Sequence, residues 1–540
     1  MLPQKKSEIM FSKKITSIFI LIISIALFIP NAFSQTALSR VELEANADYT
    51  FKSKDYYHAL PLYLTLDSLY PNVPKYIFPL GVCYINTTGD QKNALVYLEQ
   101  CKLKPNQYPP TLHYYLGRAY HLSNRFDDAI VEYELCLSHL YKNKKKYTYI
   151  IKDIYREIEM CENGKQLIKE ELIIDIQNLG PEINSIYPEY APVLTLDESE
   201  IIFTSCRPET TGGLIDTEDG LFFEDVYFSF KKDSSWSIAK NMGPSINTNG
   251  HDASISITPD GQELLIYRYE GGDAFLSSKL DGETWLEAEE LIGEVNSKYY
   301  EPSACLTKDG TYLIFSSDRP DGYGGLDLYI SKKLSNNEWA RPINLGPTIN
   351  TRYDEDSPFL HPDGKTLYFS SNGHNSMGGF DMFYSKSLSD STMLWDKPVN
   401  VGYPLNSAHD DIHFSLSADG KRIYFASIRP EGYGDRDIYV ATIEQTKVLD
   451  VLVILGVIQD SITKAPISAI INVVNTDNNS IIGIYHSNKV TGKYIMALPE
   501  GGTYRISIQS QNYKVCDDFI STQKMNGYQE RQININLCPE

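Results

Sequence analysis

Between positions 36 and 165, apolar and small residues recur at alternating three- and four-residue steps, as in Phe126, Ala129, Tyr133 and Cys136. That spacing lines one face of a helix, and its recurrence predicts a succession of packed helices. From about 170 to 445 the pattern changes to short apolar runs such as Tyr312–Phe315 and Thr366–Phe369, each preceded by a turn Asp that is followed by Gly in all copies but the first. Runs this short, closed by turn residues, predict strands. A third pattern fills 447–540. Val451–Val457, Ala469–Val474, Lys493–Leu498 and Tyr504–Ile508 read as strands separated by turns at Asp460–Pro466, Thr491-Gly492 and Pro499–Gly502. Short strands at that spacing predict a small β-sandwich. The predicted organisation is multidomain: helices over 36–168, an all-β region over 170–445, and a sandwich over 447–540.

The all-β region repeats five times with a period of about 50 residues. Each copy opens with an element of the form Asn-Leu-Gly-x-x-Ile-Asn: Asn178 to Asn184, Asn241 to Asn247, Glu290 to Asn296, Asn344 to Asn350 and Asn400 to Asn406. An acid follows five residues later (Glu189, Asp252, Glu301, Glu355, Asp411), then a turn Asp, an apolar strand, a loop, and a second strand beginning Asp-apolar-aromatic. Those second strands start at Asp225, Asp273, Asp327, Asp381 and Asp437. A small antiparallel sheet cannot bury both of its faces alone, whereas radially arranged sheets cover one another. The expectation is a propeller of five blades. Leu172–Leu179 matches the outer strand that ends the other units, so it is expected to pair near Tyr439 and close the ring.

Charge and cysteines narrow the classes of function. The formal net charge is −21, and residues 1–34 carry four Lys and one Glu, leaving −24 on the remainder. Such a chain repels nucleic acid and anionic membrane surfaces, which removes nucleic acid as an expected partner. Lys13 and Lys14 precede the apolar run Ile15–Ile29, then Pro30 and Ala32-Phe33-Ser34. This predicts an export signal over 1–34, cleaved before Gln35 and leaving no membrane span; the alternative is an uncleaved anchor. The first cysteine is Cys83, so no lipid-acceptor Cys follows the signal. Eight cysteines are scattered without metal spacing, and only Cys516 and Cys538 are candidates for a disulfide.

Three segments resemble known modules. Gly117, Tyr120, Phe126, Ala129, Tyr133 and Cys136 reproduce tetratricopeptide-repeat spacing, with further copies at Leu80, Gly81, Tyr84, Ala94, Tyr97 and at Ala47, Tyr56, Ala59, Tyr63, Pro71. The third β copy, Glu301-Pro302…Asp309-Gly310…Ile314-Phe315-Ser316-Ser317-Asp318-Arg319…Gly322-Tyr323-Gly324-Gly325…Asp327-Leu328-Tyr329, resembles the PD40 (WD40-like, TolB-type) propeller repeat. Gly456-Val457…Asp460…Pro466-Ile467…Thr491-Gly492-Lys493-Tyr494…Leu498-Pro499 resembles a carboxypeptidase regulatory-like domain, a non-catalytic transthyretin-like sandwich. The order of the three is similar to PorE-type members of the OmpA family of Bacteroidetes envelope proteins. That resemblance implies a periplasmic, outer-membrane-associated scaffold in type IX secretion or envelope assembly. Its partners would be outer-membrane, secretion-machine or peptidoglycan-associated proteins. Such proteins continue into an OmpA-like wall-binding domain and carry a lipid anchor; this sequence ends at Glu540 with neither, so direct attachment is not expected.

Two sets of residues are candidate sites. If Glu189, Asp252, Glu301, Glu355 and Asp411 sit at the propeller mouth, they form a ring of carboxylates that would draw a cation or basic peptide. The alternative is that each caps a turn by accepting backbone N–H groups. Arg207, Arg319 and Arg429 recur ten residues after the turn Asp and are expected to clasp Asp225, Asp327 and Asp437 across the loop; the copies with Glu270 and Gly373 lack the arginine. No HExxH or GxSxG occurs, and His409-Asp410-Asp411-Ile412-His413 lies at a strand entry rather than on a helix. Ser278–Trp285 approaches a sialidase box and fails at its Gly. No catalytic residue, cofactor or metal is expected. A glycan-binding module is the alternative function, and it predicts aromatic side chains clustered on one exposed loop face; a degenerate hydrolase ranks below it.

Overall fold

A computed structural model describes residues 39–71, 73–87, 91–216, 220–233, 235–269, 273–388, 394–429, 432–443, 451–523, 525 and 527–540. The expected export signal, Glu270 and the junction at 445–447 lie outside these residues.

Seven α-helices come first: α1 Arg40–Lys52, α2 Tyr56–Leu69, α3 Pro74–Asn86, α4 Gln91–Lys102, α5 Leu112–Leu122, α6 Phe126–Leu140 and α7 Thr148–Leu167. Consecutive helices pack against each other along the series. Small residues set how close they come. A Cβ on Gly117 would overlap the Tyr133 ring, and one on Gly164 would overlap Phe126. Ala119, Ala129, Cys136 and Cys161 fill the core between the helices, completely buried. As the spacing requires, these cysteines act as small apolar residues.

Five antiparallel sheets follow. In the third, Ala304–Leu306, Tyr312–Ser317, Asp327–Lys332 and Ile343–Asn344 pair in sequence order. The fourth repeats this with Glu355–Leu360, Thr366–Ser371, Asp381–Lys386 and Val399–Asn400. The first and second sheets begin at Glu189–Leu194 and His251–Ile257. The inner strands touch in order around a closed circuit, the fifth (Asp411–Leu416) returning to the first. The arrangement is β-propeller-like. The fifth sheet takes its outer strand from the other end of the region: Ile174–Asn178 pairs antiparallel with Asp437–Ile443, placing Asn178 opposite Tyr439. At the seam Arg422 grips Glu198 through two bonds of 2.6 and 2.7 Å, and Tyr424 donates to the same carboxylate. A bidentate pair across the closing seam fixes its register.

The C-terminal residues form two four-stranded sheets around an apolar core that includes Leu452, Ile471, Tyr485 and Ile506. This domain rests on the turns that join the first and second strands of the sheets. Val451, Val453 and Ile495 pack with Leu196 and Ala418, and the His486 N–H donates to Asp260 at 2.8 Å. Cys516 and Cys538 are both free thiols here, although Lys514 N–H bonds the Cys538 carbonyl.

The helices dock on the opposite end of the ring, against the loop after the second strand of the fourth sheet. Arg156 on α7 donates to the carbonyls of Asn372 (2.5 Å) and Gly373 (2.9 Å) and to Ser376 Oγ (2.6 Å). Asn163 donates to Ser376 O, and His121 bonds the carbonyl of Met377, a side chain wholly buried among the helices. Among the described residues, no helix is long and apolar enough to cross a membrane.

Candidate functional site

The five repeat acids do not form an open ring. Glu189, Asp252, Glu355 and Asp411 are 0% exposed and Glu301 is 1% exposed. Each closes its own turn. Glu189 accepts from Ser185 N–H (2.7 Å) and Ser185 Oγ (2.6 Å), and Asp411 accepts from Ser407 N–H (2.6 Å) and Oγ (2.8 Å). Thr248, Ser297 and Thr351 serve Asp252, Glu301 and Glu355 in the same way. A carboxylate whose lone pairs are taken by backbone N–H and hydroxyl donors has no coordination left for a cation or peptide. The carboxylate-ring expectation is therefore corrected, because burial and internal donors consume the charge.

The arginines are also partnered differently from the sequence expectation. Arg207 pairs with Glu189 at 2.7 Å, Arg319 with Glu301 at 2.9 Å and Arg429 with Asp411 at 3.4 Å, not with Asp225, Asp327 and Asp437. Each also donates to a carbonyl at the end of the Asn-Leu-Gly element: Ile183, Val295 and Leu405. The second strand places the loop arginine above the inner-strand acid of its own sheet, and that short reach decides the pairing. Asp225, Asp327 and Asp437 instead accept loop N–H groups from Thr211, Tyr323 and Tyr433 and amides from Asn241, Asn344 and Asn178. Each Asn thus locks the outer strand to the third strand of the same sheet.

Sequence reasoning missed the arginine of the second sheet. Arg268 lies directly across from Asp252 in the strand ladder, donates to it at 2.6 Å and bonds the Ile246 carbonyl at 2.7 Å. The fourth sheet has no arginine here. His374 takes over the carbonyl contact, to Ile349 at 2.8 Å, and burial lowers its pKa. Glu355 keeps Thr351 and Ser371 as donors, and desolvation pushes its pKa up to about 7.

This difference has a testable sign. A buried carboxyl with a raised folded-state pKa holds its proton in the native state while the unfolded chain has released it, so stability falls as pH rises between about 4.5 and 7 and is level above that. Replacing Glu355 with Gln is expected to remove about 2–3 kcal/mol of that decline, measured by urea unfolding at a series of pH values.

The Gly-rich loops are spacers, not cradles. A Cβ on Gly324 would overlap the Tyr353 carbonyl, on Gly378 the Ser407 carbonyl and on Gly434 the Ile186 carbonyl. In each case the loop of one sheet crosses the turn of the next with backbone against backbone. Gly324→Ala is expected to cost about 1–3 kcal/mol or more, read as a lowered thermal midpoint.

What remains open is the axial cavity, of about 450 Å³. Its end beside the two-sheet domain is apolar, with Leu196, Ile257, Leu306, Phe359 and Leu416. Its loop end carries Tyr190, Glu224, His251, Tyr300, Asp356 and His413. Bulges in the inner strands turn Ala191, Ser357 and His413 into the left-handed region, with φ of 50°, 51° and 52°. Non-glycine residues held there are strained, and such strain marks positions the surroundings over-determine. Ser357 Oγ lies 3.2 Å from His413 Nδ1, and burial pushes the His413 pKa down to about 4, leaving the ring neutral. Tyr267 and Tyr300, both in the lining, meet at 6.4 Å, and Phe223 (4.2 Å) and Tyr269 (6.3 Å) pack against the lining His251. Tyr269 and Tyr300 are about half exposed. Among the described residues, no group of three or more His, Cys, Asp or Glu is placed to hold a metal ion.

No family model matches this chain, and no curated protein matches it. Solved structures similar to it include TolB from Acinetobacter baumannii, at 14% identity and TM-score 0.31, covering 58% of this chain and 61% of that one. An alpha-L-arabinofuranosidase from Lactobacillus brevis matches at 14% identity and TM-score 0.33, over 51% of this chain and 93% of its own. A glycoside hydrolase matches at 11% and TM-score 0.38, over 52% and 95%. The chain spans about three fifths of the TolB structure. These are likenesses of fold and carry nothing about activity.

Proposed function

We propose that this protein is a non-catalytic scaffold of the bacterial envelope, exported to the periplasm, that holds protein partners at the outer membrane. In this reading the helices are a tetratricopeptide solenoid, the ring is a five-bladed TolB-type propeller, and the C-terminal domain is a transthyretin-like sandwich of the carboxypeptidase regulatory type. Partners would belong to the outer membrane or to a secretion machine such as type IX, with peptidoglycan-associated proteins among them.

The observation that supports it is the keyed docking of the helices. One flank is fixed to the ring by Arg156, Asn163 and His121, while Tyr49, Tyr149 and Tyr155 remain 75%, 81% and 53% exposed elsewhere on the array. Large amphipathic side chains presented on a rigid helical array suit protein docking. Affinity purification from cross-linked envelopes tests it. Outer-membrane or secretion-machine proteins should be recovered with the parent chain and lost when Tyr49, Tyr149 and Tyr155 are changed to Ala. Recovery of glycan without protein would overturn it.

The aromatic mouth of the axial cavity favours glycan binding as a second reading, because rings grouped at one loop face suit stacking on sugars. Retention on immobilised peptidoglycan, abolished by Tyr269→Ala with Tyr300→Ala, is its measurement.

A further inference from the structure

A second cavity lies away from the ring axis, in the seam between the first two sheets and the C-terminal domain. It is an open cleft of about 780 Å³. Its ring side carries Phe228, Phe230, Met242 and Trp285, and its C-terminal side Leu455 and Val457. Phe228 and Phe230 meet edge to face at 5.4 Å. Clefts between domains are common places for small-molecule sites, and this one joins an apolar wall to a lining rich in polar and charged groups.

The charged groups facing it are unequal. Asp197 and Glu200 come from the first sheet, Asp260 and Glu283 from the second, and Lys493 from the C-terminal domain. Two of the acids are already engaged. Asp197 accepts from Thr195 Oγ1 (2.8 Å) and Ser199 Oγ (2.7 Å), and Asp260 accepts from the His486 N–H (2.8 Å) and ring (3.2 Å). Glu283 is exposed, whereas Glu200 is partly buried and, among the described residues, nothing is hydrogen bonded to its carboxylate. It sits directly across the strand ladder from Phe230, so carboxylate and ring share one face. Desolvation, with Asp197 adding to it, pushes its pKa up to about 7. An unpaired carboxyl on an aromatic wall costs stability that a paired one does not.

We infer that this cleft binds a small organic ammonium compound with an apolar body. Its cationic head would pair with Glu200 over the Phe230 face, and its body would lie along Phe228, Met242, Leu455 and Val457. Aromatic faces attract ammonium groups and a carboxylate supplies a charged acceptor, while an anionic ligand would face the acids with Lys493 as the single cation among the lining residues. The occupant would bridge the ring and the C-terminal domain.

Calorimetric titration of the purified full chain with phenethylammonium, and with 2-phenylethanol as the uncharged counterpart, tests this. Saturable binding is expected at pH 8, with the alcohol and the Glu200→Gln variant each weaker by about tenfold or more. Binding of the ammonium should weaken from pH 8 to about 5, because Glu200 gains a proton over that range while the probe stays charged. Glu200→Gln should also raise the thermal midpoint of the unliganded protein at pH 8, since it removes the unpaired charge. Phe230→Leu keeps the apolar volume and removes the aromatic face, and should weaken the ammonium more than the alcohol. Absence of saturation to about 10 mM, equal affinity for the two probes, or undiminished ammonium binding by Glu200→Gln would overturn the assignment.

Discussion

Arg319→Met is expected to destabilise the protein by about 3–5 kcal/mol at pH 8. Glu301 is 1% exposed, and Arg319 is its one cationic partner, at 2.9 Å. The same guanidinium bonds Ser317 Oγ and the Val295 carbonyl and lies 5.0 Å from the Phe315 ring centre. Removing it leaves a desolvated carboxylate, whereas removing both charges with Glu301→Gln leaves none, so the double variant should recover much of the loss. The fourth sheet supplies the internal precedent. Burial raises the pKa of its Glu355 to about 7 with no arginine to oppose it, whereas for Glu189 and Asp411 the same burial is opposed by Arg207 and Arg429. At low pH a protonated carboxyl would no longer be an orphaned charge, so part of the lost stability should return as pH falls from about 8 to 5. Urea unfolding of the single and double variants at both pH values decides the matter; a pH-independent loss would show that packing, not charge, is responsible.

Arg156→Ala is expected to weaken docking of the helices on the ring by about 3 kcal/mol. The arginine is 10% exposed and spreads across three carbonyls and a hydroxyl, with Glu159 at 3.0 Å and the Tyr353 ring 4.5 Å away. A lysine has neither the planar fork nor five donors, so Arg156→Lys should not rescue it. The readout is hydrogen exchange at residues 372–377, which should speed up by about two orders of magnitude while the strand ladders of the other four sheets stay protected. Unchanged exchange there would mean that Asn163, His121 and the buried Met377 side chain hold the docking without it.

The strand positions, the five-fold repeat and the closing strand near Tyr439 were legible because each is a local pattern: short apolar runs, turn residues and a recurring Asn-Leu-Gly element. The Asn residues and the acids were legible as recurring positions, not as bonds. A repeat tells which residues occupy equivalent places but not which way a side chain reaches from there. Arg207, Arg319 and Arg429 could be placed near either of two acids, and the nearer was fixed by the ladder that sets Glu189 opposite Ser205 and Glu301 beside Ser317. Arg268 escaped notice because it does the same work from two positions earlier in its copy.

Sequence by itself thus determined the composition of each sheet, the helical spacing that brings Gly117 to Tyr133, and the acidic character of the whole. Tertiary structure decided whether a charge is used up or left open. The five repeat acids are satisfied by turn donors a few residues away, and four of them by an arginine, all within a single unit. Glu200 stays unpaired because the walls around it come from two sheets and from a domain more than 250 residues further along the chain. Burial and pairing depend on what packs against a residue from a distance, and a repeat period carries no information about that.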